Sequence, residues 1–163
     1  MKPRIATLAL ITPGTRILLG RKQGSPEIGE GTLNGPGGKM EPIDTTILDC
    51  VIRETREELG IELNPKNLEK VAIITFYAGK EPNMEVHIFR TDTFRGEPRE
   101  TESMIPEWHD IDRIPIKERM LESDLHWLPR ILLGEKFNAN VYYREKAKGF
   151  LPPIDFFPFI DRE

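Results

Sequence analysis

The sequence has a single cysteine and no long hydrophobic run. Cys50 is the only cysteine among 163 residues, so no disulfide can form within the chain. Its place in a helical apolar pattern indicates a buried, inert thiol. The first apolar stretch, residues 5–11, is too short for a signal-peptide core or a membrane span. These features predict a cytoplasmic protein that does not act in a membrane.

The chain also lacks an excess of positive charge. It contains 23 Lys and Arg against 27 Asp and Glu, which gives a formal net charge of -4. This balance argues against electrostatic binding of duplex DNA, although a small basic groove beside a metal can still hold phosphates. The length suits one compact domain that needs no metal or disulfide for its stability.

Apolar periodicity predicts an α/β fold. We expect a β-hairpin at residues 5–19 around the turn Pro13-Gly14, and a loop over a site in the glycine-rich stretch 24–38. The other predicted elements are helices at 46–59 and 124–133, and strands at 68–77, 84–93, 107–111 and 137–143. A mixed β-sheet between helices, as in an α/β/α sandwich, fits this order.

Three glutamates of the first predicted helix form an acidic stripe. Glu54, Glu57 and Glu58 stand at i, i+3 and i+4, so a helix places their carboxylates on one face. Such stripes are usually solvated surface, and for three acids alone this alternative is the stronger one. Here Arg53 adjoins them and can orient a carboxylate, so the stripe indicates a site for a hard divalent cation such as Mg²⁺.

These residues resemble the signature of the Nudix hydrolase family. The segments 37–41 and 53–61 match its glycine loop and its acidic helix. The intervening loop is one residue longer than the signature, because the position of the signature acid falls on Thr45. A longer loop is tolerated since its length costs little free energy. We therefore predict Asp44 or Thr45 as the helix N-cap, with Asp44 standing in for the signature acid.

Segments outside the signature resemble the MutT-type members of this family. These segments are 33–39, 84–89, 96–98, 108–115 and 124–129. The resemblance implies a Nudix α/β/α sandwich formed as a single domain by residues 1–147. It also implies a Mg²⁺-dependent pyrophosphohydrolase that cleaves purine nucleoside triphosphates, oxidised ones such as 8-oxo-dGTP included, to a monophosphate and pyrophosphate.

The resemblance assigns roles to the acidic helix. Glu54, Glu57 and Glu58, with a backbone carbonyl near Gly37, would bind Mg²⁺, for which Mn²⁺ would substitute. Glu57 or Glu58 would accept the proton of the attacking water. Arg53 would keep the carboxylates aimed through charge-assisted hydrogen bonds.

Further contacts are implied on either side of the metal. Lys22, Lys39 and the close backbone at Gly38 would contact the substrate phosphates. A metal-binding glutamate of the family aligns with Ser103 in this sequence. The neighbouring Glu102 would point to the opposite face of a regular strand, so it reaches the metal only if a bulge or loop re-aims it.

The residues that bind the purine base in this family are only partly present in this sequence. The family holds the base with an asparagine and two adjacent aspartates, which correspond here to Asn34, Ser123 and Asp124, so one carboxylate is missing. Leu121 and Ile28 occupy positions where an aromatic side chain is expected. Stacking on an aromatic is worth about 1 to 3 kcal/mol per base, so the base preference depends on replacements. The candidate replacements are Phe76, Tyr77 and Trp127.

Two alternatives to this function remain open. The same chemistry could remove pyrophosphate from the 5′ end of triphosphorylated RNA, guided by a basic strip of Arg90, Arg95 and Arg99, or cleave another nucleoside diphosphate derivative. A non-catalytic Nudix-like nucleotide-binding module is an alternative of another class. The complete set of helix acids argues against it, because a binder has no need of crowded carboxylates that destabilise a helix.

The last residues, 148–163, form a tail rich in phenylalanine and proline. Its prolines exclude a regular helix, and its phenylalanines are too apolar to remain in water. We expect it to pack on its own domain or on a second subunit. The sequence is therefore compatible with a monomer or a homodimer.

Overall fold

A computed structural model describes residues 2–24 and 31–162 of the chain. The prediction about Ile28 falls outside these residues. The described residues form eight strands: β1 Arg4–Ile11, β2 Arg16–Lys22, β3 Leu33–Asn34, β4 Glu69–Ala78, β5 Glu81–Thr91, β6 Met104–Asp110, β7 Phe137–Tyr143 and β8 Asp155–Pro158. Their α-helices are α1 Ile47–Leu59, α2 Ile116–Arg119 and α3 Asp124–Leu132. None of these helices is long and apolar enough to cross a membrane.

The strands form one mixed sheet. Its order is β3-β2-β1-β5-β4-β7-β8, and β6 pairs with β2. Pairing is parallel between β1 and β5 and between β4 and β7, and antiparallel elsewhere. Helices α1 and α3 cover opposite faces of this sheet, each over its own buried apolar cluster. The predicted α/β/α sandwich is therefore confirmed.

Strand β1 shows why the sheet is covered on both faces. Side chains of successive strand residues point to opposite faces. Leu8 and Leu10 accordingly pack with α3, whereas Ala9 and Ile11 pack with α1. Strand β1 therefore contributes side chains to both cores. Each buried leucine or isoleucine side chain contributes about 1.5 to 3 kcal/mol to stability. The nearly continuous apolar run of β1 follows from this double burial.

The predicted hairpin is present only near its turn. Strands β1 and β2 pair at Ile11 and Leu18 and then diverge. The glycine loop takes the place of β2 along the rest of β1. Its backbone hydrogen bonds, each 2.8 to 2.9 Å long, run from Thr7 N–H to Gly38, from Ala9 N–H to Pro36 and from Met40 N–H to Ile5. This pairing places the glycine loop at the middle of the sheet.

Strand β6 begins earlier than predicted. It starts at Met104 rather than at residue 107, and Trp108 lies inside it. Pro106 is tolerated within β6, because one side of an edge strand needs no N–H donor. Among the described strands, β6 pairs with β2 alone.

The described part of the tail adds to the sheet. Strand β8 pairs with β7 in antiparallel orientation. Phe156 makes an edge-to-face contact with Phe137, with ring centroids 5.0 Å apart, and Arg130 lies 3.8 Å from the centre of the Phe156 ring. Asn138 Nδ2 donates to the carbonyl of Ile160 at 2.9 Å. The tail therefore contacts its own sheet over these residues.

The N-cap of α1 is Thr46, so the prediction of Asp44 or Thr45 is wrong. The Thr46 hydroxyl accepts from the Asp49 N–H at 3.1 Å, and the Asp49 carboxylate accepts from the Thr46 N–H at 3.0 Å. This reciprocal pair satisfies two backbone donors at the helix start. Asp44 is instead turned inward, where it binds Arg53.

Replacement of Thr46 by alanine tests this cap. Thr46→Ala removes the acceptor of the Asp49 N–H, so we expect the free energy of unfolding to fall by about 1 kcal/mol. The exposed Thr45 provides the matched control, and Thr45→Ala should change stability by less than about 0.5 kcal/mol. Both values can be measured by urea denaturation. Equal losses in the two variants would show that Thr46 is not the cap.

Candidate active site

A cavity of about 820 Å³ opens between the glycine loop, α1 and the start of α3. Its volume suits a small-molecule ligand. It brings together most of the residues that were predicted for the site, namely Lys22, Asn34, Gly37, Gly38, Lys39, Glu54, Glu58, Glu102 and Asp124. Arg53 and Glu57 are not part of its lining. The cavity therefore has an acidic end at α1 and a second end at α3.

At the acidic end, the glycine loop lies against α1. The Gly37 N–H donates to Glu58 Oε1 at 2.7 Å. A Cβ atom at Gly37 would lie 2.1 Å from the Thr7 carbonyl oxygen, and one at Gly38 would lie 2.6 Å from the Glu54 carboxylate. The contact at Gly37 is with backbone and leaves no room for a side chain, whereas a side chain at Gly38 would displace the Glu54 carboxylate. The glycines are therefore required for the close approach of the loop to the two acids.

Arg53 connects the acids from behind the cavity. Its Nε and Nη2 each donate to Asp44 at 2.8 Å, a bidentate pair. Its Nη1 lies 3.0 Å from a Glu54 oxygen and 3.1 Å from a Glu57 oxygen. Asp44 holds the guanidinium in one orientation, and its own pKa is lowered by Arg53. The orientation of Glu54 and Glu57 thus depends on Arg53, which does not line the cavity.

The two cavity glutamates are held away from water. Burial raises the pKa of Glu58 to about 7, and the negative charge of Glu54 adds to this rise, while the Gly37 N–H opposes it. Burial also raises the pKa of Glu54, against the opposing effect of Arg53. Both carboxylates therefore carry their charge at a cost that a bound cation would offset.

Asp124 and Asn34 lie at the other end of the cavity. Asp124 is 4% exposed, and its Oδ2 accepts from the Leu121 N–H at 3.2 Å. Burial raises the pKa of Asp124 to about 7. Asn34 Oδ1 accepts from the Gly35 N–H at 3.0 Å. The positive charge of Lys22 lowers the pKa of both Asp124 and Glu58, so Lys22 lies between the two ends.

A family model for the Nudix domain matches residues 1–131. The chain belongs to the Nudix family. It is 38% identical over 135 residues to an oxidized purine nucleoside triphosphate hydrolase of Danio rerio, which covers 82% of this chain and 83% of that protein. It is 36% identical over 144 residues to the protein of the same name from Mus musculus, with 88% of each chain covered.

A solved structure shows the same fold. The crystal structure of a MutT protein from Bacillus halodurans is 24% identical to this chain, with a TM-score of 0.75 over 93% of this chain and 97% of that one. The predicted membership of the Nudix family and its MutT-type resemblance are confirmed by these comparisons.

The Nudix helix offers oxygen ligands that fit a hard cation. Glu54 and Glu58 supply partly buried carboxylates at the cavity wall, and Glu57 supplies an exposed one outside the wall. Carbonyls of Pro36 and Gly38 accept from β1, so in this extended segment the carbonyl of Gly37 points the other way. No three acidic, histidine or cysteine side chains of the described residues converge on one point. Arg53 and the Gly37 N–H instead neutralise the acids.

Glu102 lines the cavity of this Nudix domain. It lies in a bend before β6 and not in a regular strand, which is the condition under which Glu102 was expected to turn toward the site. The bend lets Glu102 and Ser103 both face the cavity. Gln23 holds this segment, because its Nε2 donates to the Thr101 carbonyl at 2.6 Å and its N–H donates to Ser103.

The aromatic part of the lining contains both predicted residues and residues that the sequence did not predict. Phe76, Tyr77 and Trp127, which were candidates for contact with a base, all line the cavity. Tyr143 and Met84 join them and were not predicted. Met84 shares a strand face with Val86, and strand alternation could have identified it. Tyr143 ends β7, where alternation alone does not distinguish a cavity wall from a core side chain.

Replacement of Asp44 tests the support of Arg53. Asp44→Asn removes the buried charge that pairs with the partly buried guanidinium of Arg53, so we expect the free energy of unfolding at pH 7 to fall by about 3 kcal/mol. Because the pKa of Asp44 is lowered in the folded state, its contribution is present above the ordinary pKa of an aspartate. It should disappear as the pH falls through the lowered value.

The control for this variant is Glu41→Gln. Glu41 also lies 3.0 Å from Arg53 Nη1, but its side chain is 55% exposed, so its loss should cost less than about 1 kcal/mol. Denaturation of both variants between pH 3 and pH 8 separates the two contributions. Similar losses in both would mean that Asp44 has no special role.

The raised pKa of Glu58 predicts a second pH dependence of the free energy of unfolding. The folded protein binds this proton more tightly than the unfolded chain, so Glu58 lowers stability as the pH rises from about 4.5 to about 7. Glu58→Gln should therefore be more stable than the unaltered protein at pH 8, with a smaller difference at pH 4.5. Millimolar Mg²⁺ at pH 8 should stabilise the unaltered protein and narrow the difference. Parallel pH profiles without metal would contradict this prediction.

Proposed function

We propose that this chain is a Mg²⁺-dependent pyrophosphohydrolase that converts purine nucleoside triphosphates, oxidised ones such as 8-oxo-dGTP in particular, into a monophosphate and pyrophosphate. One observation carries this proposal: a single cavity joins Glu54 and Glu58 of the Nudix helix to an aromatic-walled end with Asn34 and Asp124. The names of the zebrafish and mouse relatives support the choice of substrate.

The acidic end is suited to the hydrolytic step. Glu54, Glu57 and Glu58 would hold Mg²⁺, or Mn²⁺ in its place, with the carbonyl of Gly37 and with Glu102 from the opposite wall. The metal supplies polarisation of the phosphoryl oxygens and a lower pKa for the attacking water. A carboxylate whose pKa lies near neutral pH is well matched to accept a proton, which favours Glu58 over the more exposed Glu57.

Other residues of the chain orient these groups. The Gly37 N–H fixes one oxygen of Glu58, and the second oxygen would bind the metal or accept the proton. Arg53, held by Asp44, keeps Glu54 and Glu57 aimed. We assign Arg53 to this orienting role because it lies outside the cavity wall.

Lys22, Lys39 and Gly38 would bind the triphosphate between the two ends. Lys22 is placed for this role, since its charge acts on both Glu58 and Asp124. The backbone at Gly38 lies at the cavity wall without a side chain in front of it. A phosphate chain bound along these residues would run from the acids toward Asp124.

Asn34 and Asp124 would read the edge of the base. A carboxyl group with a pKa of about 7 exists near neutral pH both as an acceptor and as a donor. Oxidation of guanine at C8 places an N–H at the N7 position, where guanine has an acceptor, and Asp124 can accept from it. Phe76 and Trp127 provide apolar surface for the ring. The buried Trp127 N–H makes no hydrogen bond of ordinary geometry among the described residues, but it lies near Asp124 and lowers the pKa of that carboxyl group.

The RNA alternative lacks support from its predicted basic strip. None of Arg90, Arg95 and Arg99 is among the described residues that line the cavity. Arg90 Nη1 donates to the Ile131 carbonyl at 2.8 Å, and Arg99 lies against Gly60. We therefore keep hydrolysis of 5′-triphosphorylated RNA only as an outcome of the experiment below.

The remaining parts of the proposal concern the whole chain. We propose residues 1–147 as the Nudix domain and residues 148–163 as a tail that completes its sheet. We further propose that the protein acts on nucleotides in the cytoplasm, as a monomer or a homodimer. Sedimentation of the full chain and of a chain that ends at residue 147 would distinguish the two states.

A substrate panel tests the proposed activity. Pyrophosphate release in the presence of Mg²⁺ should give the highest kcat/KM with 8-oxo-dGTP, compared with dGTP, ATP, a sugar nucleotide and 5′-triphosphorylated RNA. Chelation of the metal should abolish turnover. Glu54→Gln, Glu57→Gln and Glu58→Gln should each lower kcat by about 100-fold or more, because they remove oxygen ligands or the base.

Glu62→Gln is the matched control for these variants. Glu62 pairs with Arg56 on the surface, away from the cavity, so its change should leave kcat unaltered. Binding of nucleotides without any turnover would favour the non-catalytic module. A tenfold preference for the triphosphorylated RNA would replace the proposed substrate and leave the reaction class intact.

A further inference from the structure

Ser123 and Tyr143 form a hydroxyl pair at the α3 end of the cavity. Ser123 Oγ lies 2.9 Å from the Tyr143 hydroxyl oxygen, and the Ser123 N–H donates to the same oxygen at 3.3 Å. Ser123 is fully buried, whereas Tyr143 is partly exposed and lines the cavity. The pair is therefore in contact with the cavity through Tyr143.

The Ser123 hydroxyl does not cap α3, although a serine at this position commonly does. Ser123 precedes α3 directly, where a serine commonly accepts from a backbone N–H of the first helical turn. Within the described part of the chain it makes no such cap, and its backbone is already helical. Its hydroxyl is directed to Tyr143 instead. The Ser123 carbonyl accepts from the His126 N–H at 3.0 Å, so the backbone of Ser123 belongs to the helical turn while its side chain is bonded to Tyr143.

Tyr143 is itself held from behind. Its carbonyl accepts from the Gly79 N–H at 2.9 Å, and its backbone forms a β-bridge with Phe150. The Phe150 ring lies 5.7 Å from the Tyr143 ring and 5.2 Å from the His126 ring on α3. The tail residue Phe150 thus packs on both partners of the contact between β7 and α3.

Counting hydrogen atoms shows what this pair offers to a ligand. Two hydroxyl groups carry two hydrogens, and the bond between them uses one. The Ser123 N–H already donates to the tyrosine oxygen, so one hydroxyl hydrogen remains for a third group. Either hydroxyl can donate within the pair, but only Tyr143 faces the cavity. A bound acceptor therefore takes the Tyr143 hydrogen, and the Ser123 hydroxyl then donates to the tyrosine oxygen. Beside it lies Asp124, whose carboxylate form accepts hydrogen bonds.

We propose that Tyr143 is a specificity-determining residue which, together with Asp124, selects purines that carry a ring N–H next to a carbonyl group. Tyr143 donates to the carbonyl oxygen and Asp124 accepts from the N–H. Guanine has this arrangement at N1 and C6, and oxidation at C8 creates a second one, whereas adenine has neither. This inference rests on the proposed function, because it requires a nucleotide in the cavity.

Tyr143→Phe tests the proposal with Tyr142→Phe as its matched control. The control removes a hydroxyl from the adjacent residue, where it donates to Asp155 at the surface at 2.7 Å. We expect Tyr143→Phe to lower the ratio of kcat/KM for 8-oxo-dGTP over dATP by about threefold to tenfold, mainly through KM, since one hydrogen bond is lost. Tyr142→Phe should leave this ratio unchanged. Hydrolysis of base-free tripolyphosphate should be the same in all three proteins.

A double-mutant cycle with Ser123→Ala tests whether the Ser123 and Tyr143 hydroxyls act together. If the two hydroxyls act as one unit, the variant with both changes should lose no more base preference than Tyr143→Phe alone. Additive losses of base preference would show that the two hydroxyls act independently, which would overturn the proposal. If Tyr143→Phe does not fold, as judged by its thermal unfolding, Ser123→Ala must lower the ratio by itself for the proposal to stand.

The outcomes separate this inference from the proposed function. An unaltered protein that hydrolyses no nucleotide would remove the proposed function and this inference with it. An active protein whose ratio is the same with and without the Tyr143 hydroxyl would overturn this inference alone. A uniform loss of activity on all substrates, tripolyphosphate included, would also overturn it, because that result indicates a general structural role.

Discussion

The hydrogen bonds between the glycine loop and β1 are the constraint on which the site depends. Strands β1 and β2 diverge after their turn, and the loop pairs with the edge of β1 that this leaves. The loop then lies directly beneath α1, where Gly37 donates to Glu58 and no side chain fits. The acids of the helix and the backbone of the loop thereby form one wall of the cavity.

Burial and charge are balanced along this wall. Burial raises the pKa of Glu54 and Glu58, while Arg53 and the Gly37 N–H act against it. Arg53 keeps its place through the bidentate pair with Asp44. Arg53 thus sets the orientation of Glu54 and Glu57, and the Gly37 N–H sets that of Glu58.

Much of the fold could be predicted because its strands and helices bury alternating or periodic apolar residues. The helix at 46–59 and the strand at 137–143 are examples. Predictions failed where tertiary contacts decide a local choice. Asp44 suits an N-cap by residue type, yet it forms a bidentate pair with the partly buried Arg53 instead. Strand β6 starts at Met104 and not at residue 107, because its pairing with β2 begins there.

The sequence by itself determined the family and the acidic helix, because helical spacing places Glu54, Glu57 and Glu58 on one face in any context. Only the tertiary structure decided which groups share the cavity. It separates Glu57 from Glu58 by exposure, brings Glu102 into the wall through a bend, and joins Tyr143 to Ser123 across 20 residues. Contacts between distant segments depend on how the sheet diverges and packs, and no local pattern encodes that geometry.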